Sequence, residues 1–279
     1  MKLGKIKFEL IFGIYTVLTA LLFLGIYAIK NEINSIGMII FILFLIVLSI
    51  IFWNFISTQK ILSELVKTNK NSDYIFQQIE SFHQIQKYIN PKFPLPQTRN
   101  WIASPDLMSA IFKYIILKNP QYIVELGSGV STLYTSYLLK QNESSAKIFS
   151  IDHSLEYAEK SRQMLKEHEI EKYAEVLSCP LSKQQINGHE IDWYTIKNFP
   201  DIKIDLLIVD GPPTDHKYSR YNALPFFYDK LNSNAIIIVD DYFRKNETNM
   251  VELWLEKYKD LIVLDKLYTE KGTMILMKK

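Results

Sequence analysis

Residues 10–29 (LIFGIYTVLTALLFLGIYAI) and 36–56 (IGMIIFILFLIVLSIIFWNFI) carry no charged side chain. As helices, at about 1.5 Å rise per residue, each spans about 30 Å, the thickness of a bilayer's hydrocarbon core. Both runs are apolar on every face, whereas a helix laid on a soluble core keeps a polar stripe. The link Lys30–Ser35 is short, so the expectation is a two-helix transmembrane hairpin with antiparallel spans. Trp53 falls near the end of the second span, where an interfacial aromatic belongs. No small-x-small cleavage site follows the first run and a second run comes at once, which argues against a cleaved signal peptide. Lys2, Lys5 and Lys7 precede the first span and Lys60, Lys67 and Lys70 follow the second, while the link offers only Lys30 against Glu32. The positive-inside rule then makes this a multi-pass protein of the cytoplasmic (inner) membrane with both termini cytosolic.

The rest of the chain has the composition of a folded domain. Hydrophobic residues make up 48% and aromatics 13%, which excludes a disordered chain. Residues 1–59 hold four lysines and two glutamates; of 32 basic and 30 acidic residues in all, 28 of each remain for the rest. A neutral soluble part argues against a nucleic-acid partner. Cys179 is the only cysteine, so no intrachain disulfide forms. Residues 58–89 read as helix, with Ile75, Ile79, Phe82 and Ile85 spaced to pack on the domain, and Pro91, Pro94 and Pro96 force an extended segment. The expected organisation is a membrane hairpin over 1–59, a juxtamembrane helical linker over 60–98 and a domain over 99–279.

From residue 99 helices and strands alternate. Ser104 is a candidate cap for a helix beginning at Pro105 and running to about Lys118. Strands are expected at Tyr122–Leu126, Lys147–Asp152, Ala174–Ser178, Ile204–Asp210, Ala235–Asp240, Leu261–Leu267 and Thr273–Met277, with helices through Leu139, over Leu155–His168 and over Glu247–Tyr258. Such alternation implies a mostly parallel α/β sheet covered on both faces. The last two strands are joined too closely for a crossover helix, so they form a terminal antiparallel hairpin.

The turn after the first strand reads Glu125-Leu126-Gly127-Ser128-Gly129-Val130-Ser131-Thr132. Two glycines permit a tight turn and close approach to a ligand, and the next helix presents its N–H groups there. A dinucleotide site would want a third glycine where Ser131 stands and no fixed anion; Glu125 suits a cationic ligand such as S-adenosylmethionine better. Asp152 ends the second strand, placed for ribose hydroxyls or for capping the following helix. Cys179, past the third strand, reads as a pocket-wall residue. Asp210, Asp240 and Asp241 end the fourth and fifth strands, where ligands bind in such sheets. Together they suit a hard cation such as Mg²⁺, with capping and solvent-exposed acids as the alternative. His216, Arg220 and Arg244 follow these strand ends and are candidates for lining a substrate pocket, with a simply solvated histidine as the alternative.

These motifs resemble the class I S-adenosylmethionine-dependent methyltransferases over residues 99–279. VELGSGVST at 124–132 is similar to that family's first motif, SIDHS at 150–154 to its ribose-binding stretch, and IVDGPP at 208–213 and IIVDD at 237–241 to its fourth- and fifth-strand motifs. A bacterial subgroup with ELGSGxST, VDGPP, RYxALP (Arg220–Pro225) and KGT (Lys271–Thr273) resembles the chain most closely. The resemblance implies a Rossmann-like seven-stranded sheet. It also implies a cofactor site of Glu125, Gly127, Ser128, Gly129, Ser131, Thr132, Asp152, His153, Cys179 and Asp210. Catechol-type members bind Mg²⁺ through acids at these strand ends, which would make Asp210, Asp240 and Asp241 ligands. That type usually ends its fifth strand Asp-Asn, whereas Asp240-Asp241 stands here, so metal-bound and metal-free transfer both remain open. In the metal-free case Asp210, Asp241 or His216 is the base. The expected activity is O-methylation of a small-molecule, lipid-linked or glycan-precursor acceptor at the membrane. The alternatives are an aminopropyltransferase-like enzyme, a non-catalytic membrane scaffold, and a dehydrogenase, which Glu125 and the end hairpin disfavour.

Overall fold

The computed structural model describes residues 13, 16, 19–27, 35–98, 103–186, 188–213 and 218–279. The N-terminal lysines, the link over 30–34 and His216 lie outside the described residues. Contacts divide the chain into two units, Met1–Ser72 and Asp73–Lys279.

In the first unit the described residues of the 10–29 run are helical. Helix α1 runs over Ser35–Tyr88 as one element, so the second apolar run and the expected juxtamembrane helix are continuous. The rings of Phe23 and Phe41 stack with centroids 3.6 Å apart. Among the described residues one helix is long and apolar enough to cross a membrane, and none of its most apolar stretch is buried.

The second unit is built on a seven-stranded sheet in the order β3-β2-β1-β6-β7-β9-β8. Its strands are β1 (Tyr122–Leu126), β2 (Lys147–Asp152), β3 (Ala174–Ser178), β6 (Ile204–Val209), β7 (Leu231–Val239), β8 (Leu261–Leu267) and β9 (Thr273–Lys278). The five strands β3, β2, β1, β6 and β7 run parallel, and β9 pairs antiparallel to both β7 and β8. This is the Rossmann-like α/β sheet with the reversed end expected. Helices α2 (Pro105–Lys118), α3 (Val130–Gln141), α4 (Leu155–Glu167), α5 (Ala223–Phe227) and α6 (Lys245–Lys257) accompany it.

The central strands are apolar on both faces because each face has its own core. Ile123, Ile148 and Ile208 join a cluster with Leu107, Leu133 and Leu138, whereas Val124, Leu126 and Val209 join one with Phe227 and Trp254. The end of α1 adds Phe82, Ile85 and Ile89 to the first cluster, but Ile75 and Ile79 stay exposed, so only the later half of that expected stripe packs.

Three details depart from expectation. Strand β7 starts at Leu231, four residues early. Ser104 does not cap α2: its hydroxyl donates to buried Asp106, which also accepts from Gln78 and the Glu270 amide and so ties α1 and the β8–β9 turn to α2. Finally, β4 (Leu181–Ile186) and β5 (His189–Tyr194) form a separate antiparallel hairpin not read from the sequence.

Candidate active site

A cavity of about 710 Å³ opens at the C-terminal ends of the central strands, where α/β sheets bind ligands. Gly127, Ser128, Gly129 and Ser131 line it from the β1–α3 turn, Asp152 and His153 from the end of β2, Asp210 and Gly211 from β6, and Asp241 from β7. Gly127 has φ +100°, a conformation only glycine adopts without strain. Gly211 is held by space instead: a Cβ there would run into the Tyr194 hydroxyl and lie 3.1 Å from both Gly127 N and Leu126 O. A larger hollow of about 1020 Å³, between residues 74–89 and the 91–98 segment, has no acidic residue or glycine turn on its wall.

Asp152 is buried, and its carboxylate organises the turn. Oδ2 accepts from Ser128 N at 3.0 Å and Ser128 Oγ at 2.8 Å, and Oδ1 accepts from Ser154 N at 2.9 Å. A carboxylate has about four lone-pair directions, so these three donors leave one for a ligand hydroxyl. Helix α4 is capped by Ser154, whose Oγ accepts from Tyr157 N, so Asp152 is spared that task. The side chain of His153 stands beside it, Nδ1 3.5 Å from Oδ1.

Glu125, Thr132 and Cys179 are absent from the cavity wall. Glu125 lies one residue from Val124 and Leu126, and alternation turns it to the opposite face of the sheet, beneath the first turn of α3. There its Oε2 accepts from Thr132 Oγ1 at 2.5 Å and Ser150 Oγ at 2.8 Å, and Thr132 Oγ1 accepts from Gly129 N at 3.1 Å. The acid therefore supports the turn from below. Burial pushes its carboxyl up from 4.5 to about 7, so no strong anion is held there against a cationic ligand. Burial also raises the Cys179 thiol, which disfavours the reactive thiolate.

The three strand-end acids do converge, each offering an oxygen within 4.8 Å of the others. Two of them, Asp210 and Asp241, meet a guanidinium. Arg220, with 4% of its side chain exposed, places Nη1 3.0 Å from Asp241 Oδ2 and Nη2 3.7 Å from Asp210 Oδ1, while Nε donates to Pro212 O at 3.0 Å. Arg244 Nη1 reaches the same Asp241 oxygen at 2.9 Å, and Lys271 Nζ stands 3.9 Å from Asp240 Oδ2. Three acids thus face three bases. The oxygens suit a hard cation, but the charge that would hold one is already compensated, so these residues do not fit Mg²⁺ as they stand.

Asp241 has φ +62°, an uncommon left-handed conformation that aspartate tolerates. Burial raises Asp240 well above the ordinary range, with Asp210 and Asp241 adding to the shift; Asp240 is not on the cavity wall. Asp210 keeps 23% of its side chain exposed at the cavity. Partial burial raises its carboxyl, Arg220 opposes that, and Asp241 adds to it.

The wall also holds residues outside the expected cofactor and metal sets. Arg220, expected to line a substrate pocket, stands on it with Arg244. Tyr194, from β5, is fully buried, and its hydroxyl has no hydrogen-bond partner among the described residues.

Residues 124–242 match the family model described as a methyltransferase domain, and residues 49–182 match that of protein-L-isoaspartate(D-aspartate) O-methyltransferase. No curated protein sequence matches the chain. Solved structures similar to it include the SAH-bound methyltransferase PaMTH1 of Podospora anserina, at 17% identity and TM-score 0.48 over 73% of this chain and 88% of that one. Another is an O-methyltransferase of Bacillus cereus in complex with SAH, at 12% identity and TM-score 0.49 over 73% and 90%. A third is the O-methyltransferase TomG of Streptomyces achromogenes, involved in tomaymycin synthesis and solved with SAM, at 12% identity and TM-score 0.47 over 73% and 89%.

Proposed function

We propose that this chain, a methyltransferase of the S-adenosylmethionine-dependent class, methylates a hydroxyl oxygen in the crevice bounded by the Gly127–Ser131 turn, Asp152 and Asp210. The observation that carries this reading is the Asp152 carboxylate, fixed on the cavity wall by three donors and left with room for one ribose hydroxyl. Gly127, Ser128, Gly129, Ser131 and His153 form the rest of the cofactor wall. Bound there, the cofactor supplies an electrophilic methyl group on a sulfonium. The chain's own residues do the remainder. The Gly127 turn and Asp152 hold the donor still, so that the acceptor oxygen meets the methyl carbon in line. As the methyl–sulfur bond gives way to the new oxygen–carbon bond, the acceptor hydroxyl would pass its proton to Asp210, the part-exposed member of the acid trio, whose carboxyl burial raises. Asp241 is held by two arginines and serves as their anchor rather than as the base.

The acceptor is a small-molecule, lipid-linked or glycan-precursor hydroxyl, and the chain works at the cytoplasmic face of a membrane with both termini cytosolic. The uncharged runs 10–29 and 36–56, the flanking lysines and the unburied apolar stretch of α1 support the anchor. Isothermal titration of the full-length protein with S-adenosylmethionine, its decarboxylated form and NAD tests the reading. S-adenosylmethionine is expected to bind best, and Asp152→Ala to weaken it about tenfold, the worth of one hydrogen bond to a charged group. Preference for either other ligand, or unchanged affinity in Asp152→Ala, would overturn it.

A further inference from the structure

We propose that Arg220 is a built-in cation: its guanidinium takes the place that a divalent ion would need between Asp210 and Asp241, so transfer is metal-free, and its removal opens a metal site. The proposal rests on the crevice being the methyl-transfer site, and it concerns a residue to which no role has been assigned there.

The distances leave no room for both cations. A divalent ion sits 2.0–2.6 Å from carboxylate oxygens and gathers about six or more oxygen ligands. Arg220 already stands 3.0 Å from Asp241 Oδ2 and 3.7 Å from Asp210 Oδ1, and Arg244 stands 2.9 Å from the first of these. An ion bound to both acids would press against the guanidinium and set a double charge beside three bases. Arg220 cannot swing away cheaply. Its Nε is tied to Pro212 O, its carbonyl accepts from Ala223 N at 3.0 Å, and the carbonyl of Tyr221 accepts from buried Trp254 Nε1 at 2.9 Å. A guanidinium keeps its charge across the whole working pH range, so it serves as a permanent cation.

The same packing leaves a latent ligand set. Asp241 Oδ1 and Asp240 Oδ2 are buried without hydrogen-bond partners among the described residues. With Arg220 shortened to a neutral side chain, these oxygens and those of Asp210 would lose the cation they share at the centre, leaving only Arg244 and Lys271 at the edge of the trio. As it stands, Arg220 acts as a positioning residue: it neutralises Asp241 and holds Asp210 from behind, turning the open edge of that carboxylate to the crevice.

Mn²⁺ is the probe, followed by its electron paramagnetic resonance signal and by thermal melts of full-length protein. Wild type is expected to bind no Mn²⁺ at the trio and to keep full activity in chelator. Arg220→Gln is expected to show a saturable Mn²⁺ signal at the trio that wild type lacks and to melt higher in the presence of Mn²⁺, as three carboxylates gather a hard cation. Asp241→Asn added to that variant should remove the gain. Mn²⁺ binding by wild type that Asp241→Asn abolishes, or chelator-sensitive activity, overturns the proposal whether or not Arg220→Gln folds. So does a folded Arg220→Gln that gains no Mn²⁺ affinity. Titration of S-adenosylmethionine into the same wild-type protein separates the two readings. Lost cofactor binding would sink the methyltransferase site, whereas Mn²⁺ binding beside intact cofactor binding would sink only the built-in cation.

Discussion

Replacing Glu125 with glutamine should change how stability depends on pH while leaving the cofactor in place. The carboxyl moves from an ordinary 4.5 to about 7 on folding, because burial outweighs the hydroxyls that donate to it. With the folded value the higher one, the native state holds more protons than the unfolded chain between about pH 4.5 and 7. Stability from this group is therefore fully present below pH 4.5 and falls as pH rises through 7. At 1.36 kcal/mol per unit, the loss is about 3 kcal/mol. Glutamine keeps an oxygen for Thr132 and Ser150 and does not titrate. The melting temperature of Glu125→Gln relative to wild type should then climb by about 6–12 °C between pH 5 and pH 8, at about 2–4 °C per kcal/mol for a domain of this size. Asp210 and Asp240 titrate in both proteins and cancel in the difference. Trp193 and Trp254 are fully buried in the second unit, so their fluorescence reports its melting, while Trp53 is exposed. Parallel melting curves for the two proteins would refute the buried-acid reasoning. A tenfold loss of S-adenosylmethionine affinity with unchanged stability would return Glu125 to the cofactor site.

Asp210→Asn should lower kcat about a hundredfold or more while leaving cofactor affinity and melting temperature near wild type, as loss of a general base does; unchanged turnover would remove Asp210 from that role. Gly211→Ala should destabilise by about 1–3 kcal/mol through its crowding of Tyr194 and the backbone at Leu126 and Gly127, seen as a fall of several degrees in melting temperature. Adding Tyr194→Phe should recover part of that loss, and strictly additive effects would show that the two side chains do not meet.

The parts of this fold that sequence reveals are those whose physics is local. Each main strand is an apolar run because helices cover both faces, so Ile204–Val209 and the last strands announce themselves without knowledge of their neighbours. The hairpin of β4 and β5 gives a weaker signal, since Ser182, Lys183, Gln184 and Gln185 leave β4 polar on most of its length. Its one sharp cue is in the sequence: Asn187-Gly188 is a hairpin-turn signal, and Ile186 and His189 on either side of it pair in the ladder. Missing that pair also hid Tyr194, because only the returning strand carries its hydroxyl to the crevice.

The site divides in the same way. Acids at the ends of apolar strands are visible as candidates, and Asp152, Asp210 and Asp241 do reach the cavity wall. Which face an acid takes depends on alternation: Glu125 follows Val124, whose side chain belongs to the core opposite α3, so Glu125 must point the other way, under α3. Counting from that strand alone would have moved it out of the cofactor site. No such count finds Arg220. It lies ten residues beyond Asp210, and its distance from Asp241 is set by the carbonyl of Pro212 and by Trp254 on another helix. A charge cluster read from sequence shows its acids, which strand ends fix, and hides which of them its bases pair with, because loops deliver those. The difference between a metal ligand set and a compensated ion cluster rests on that hidden half.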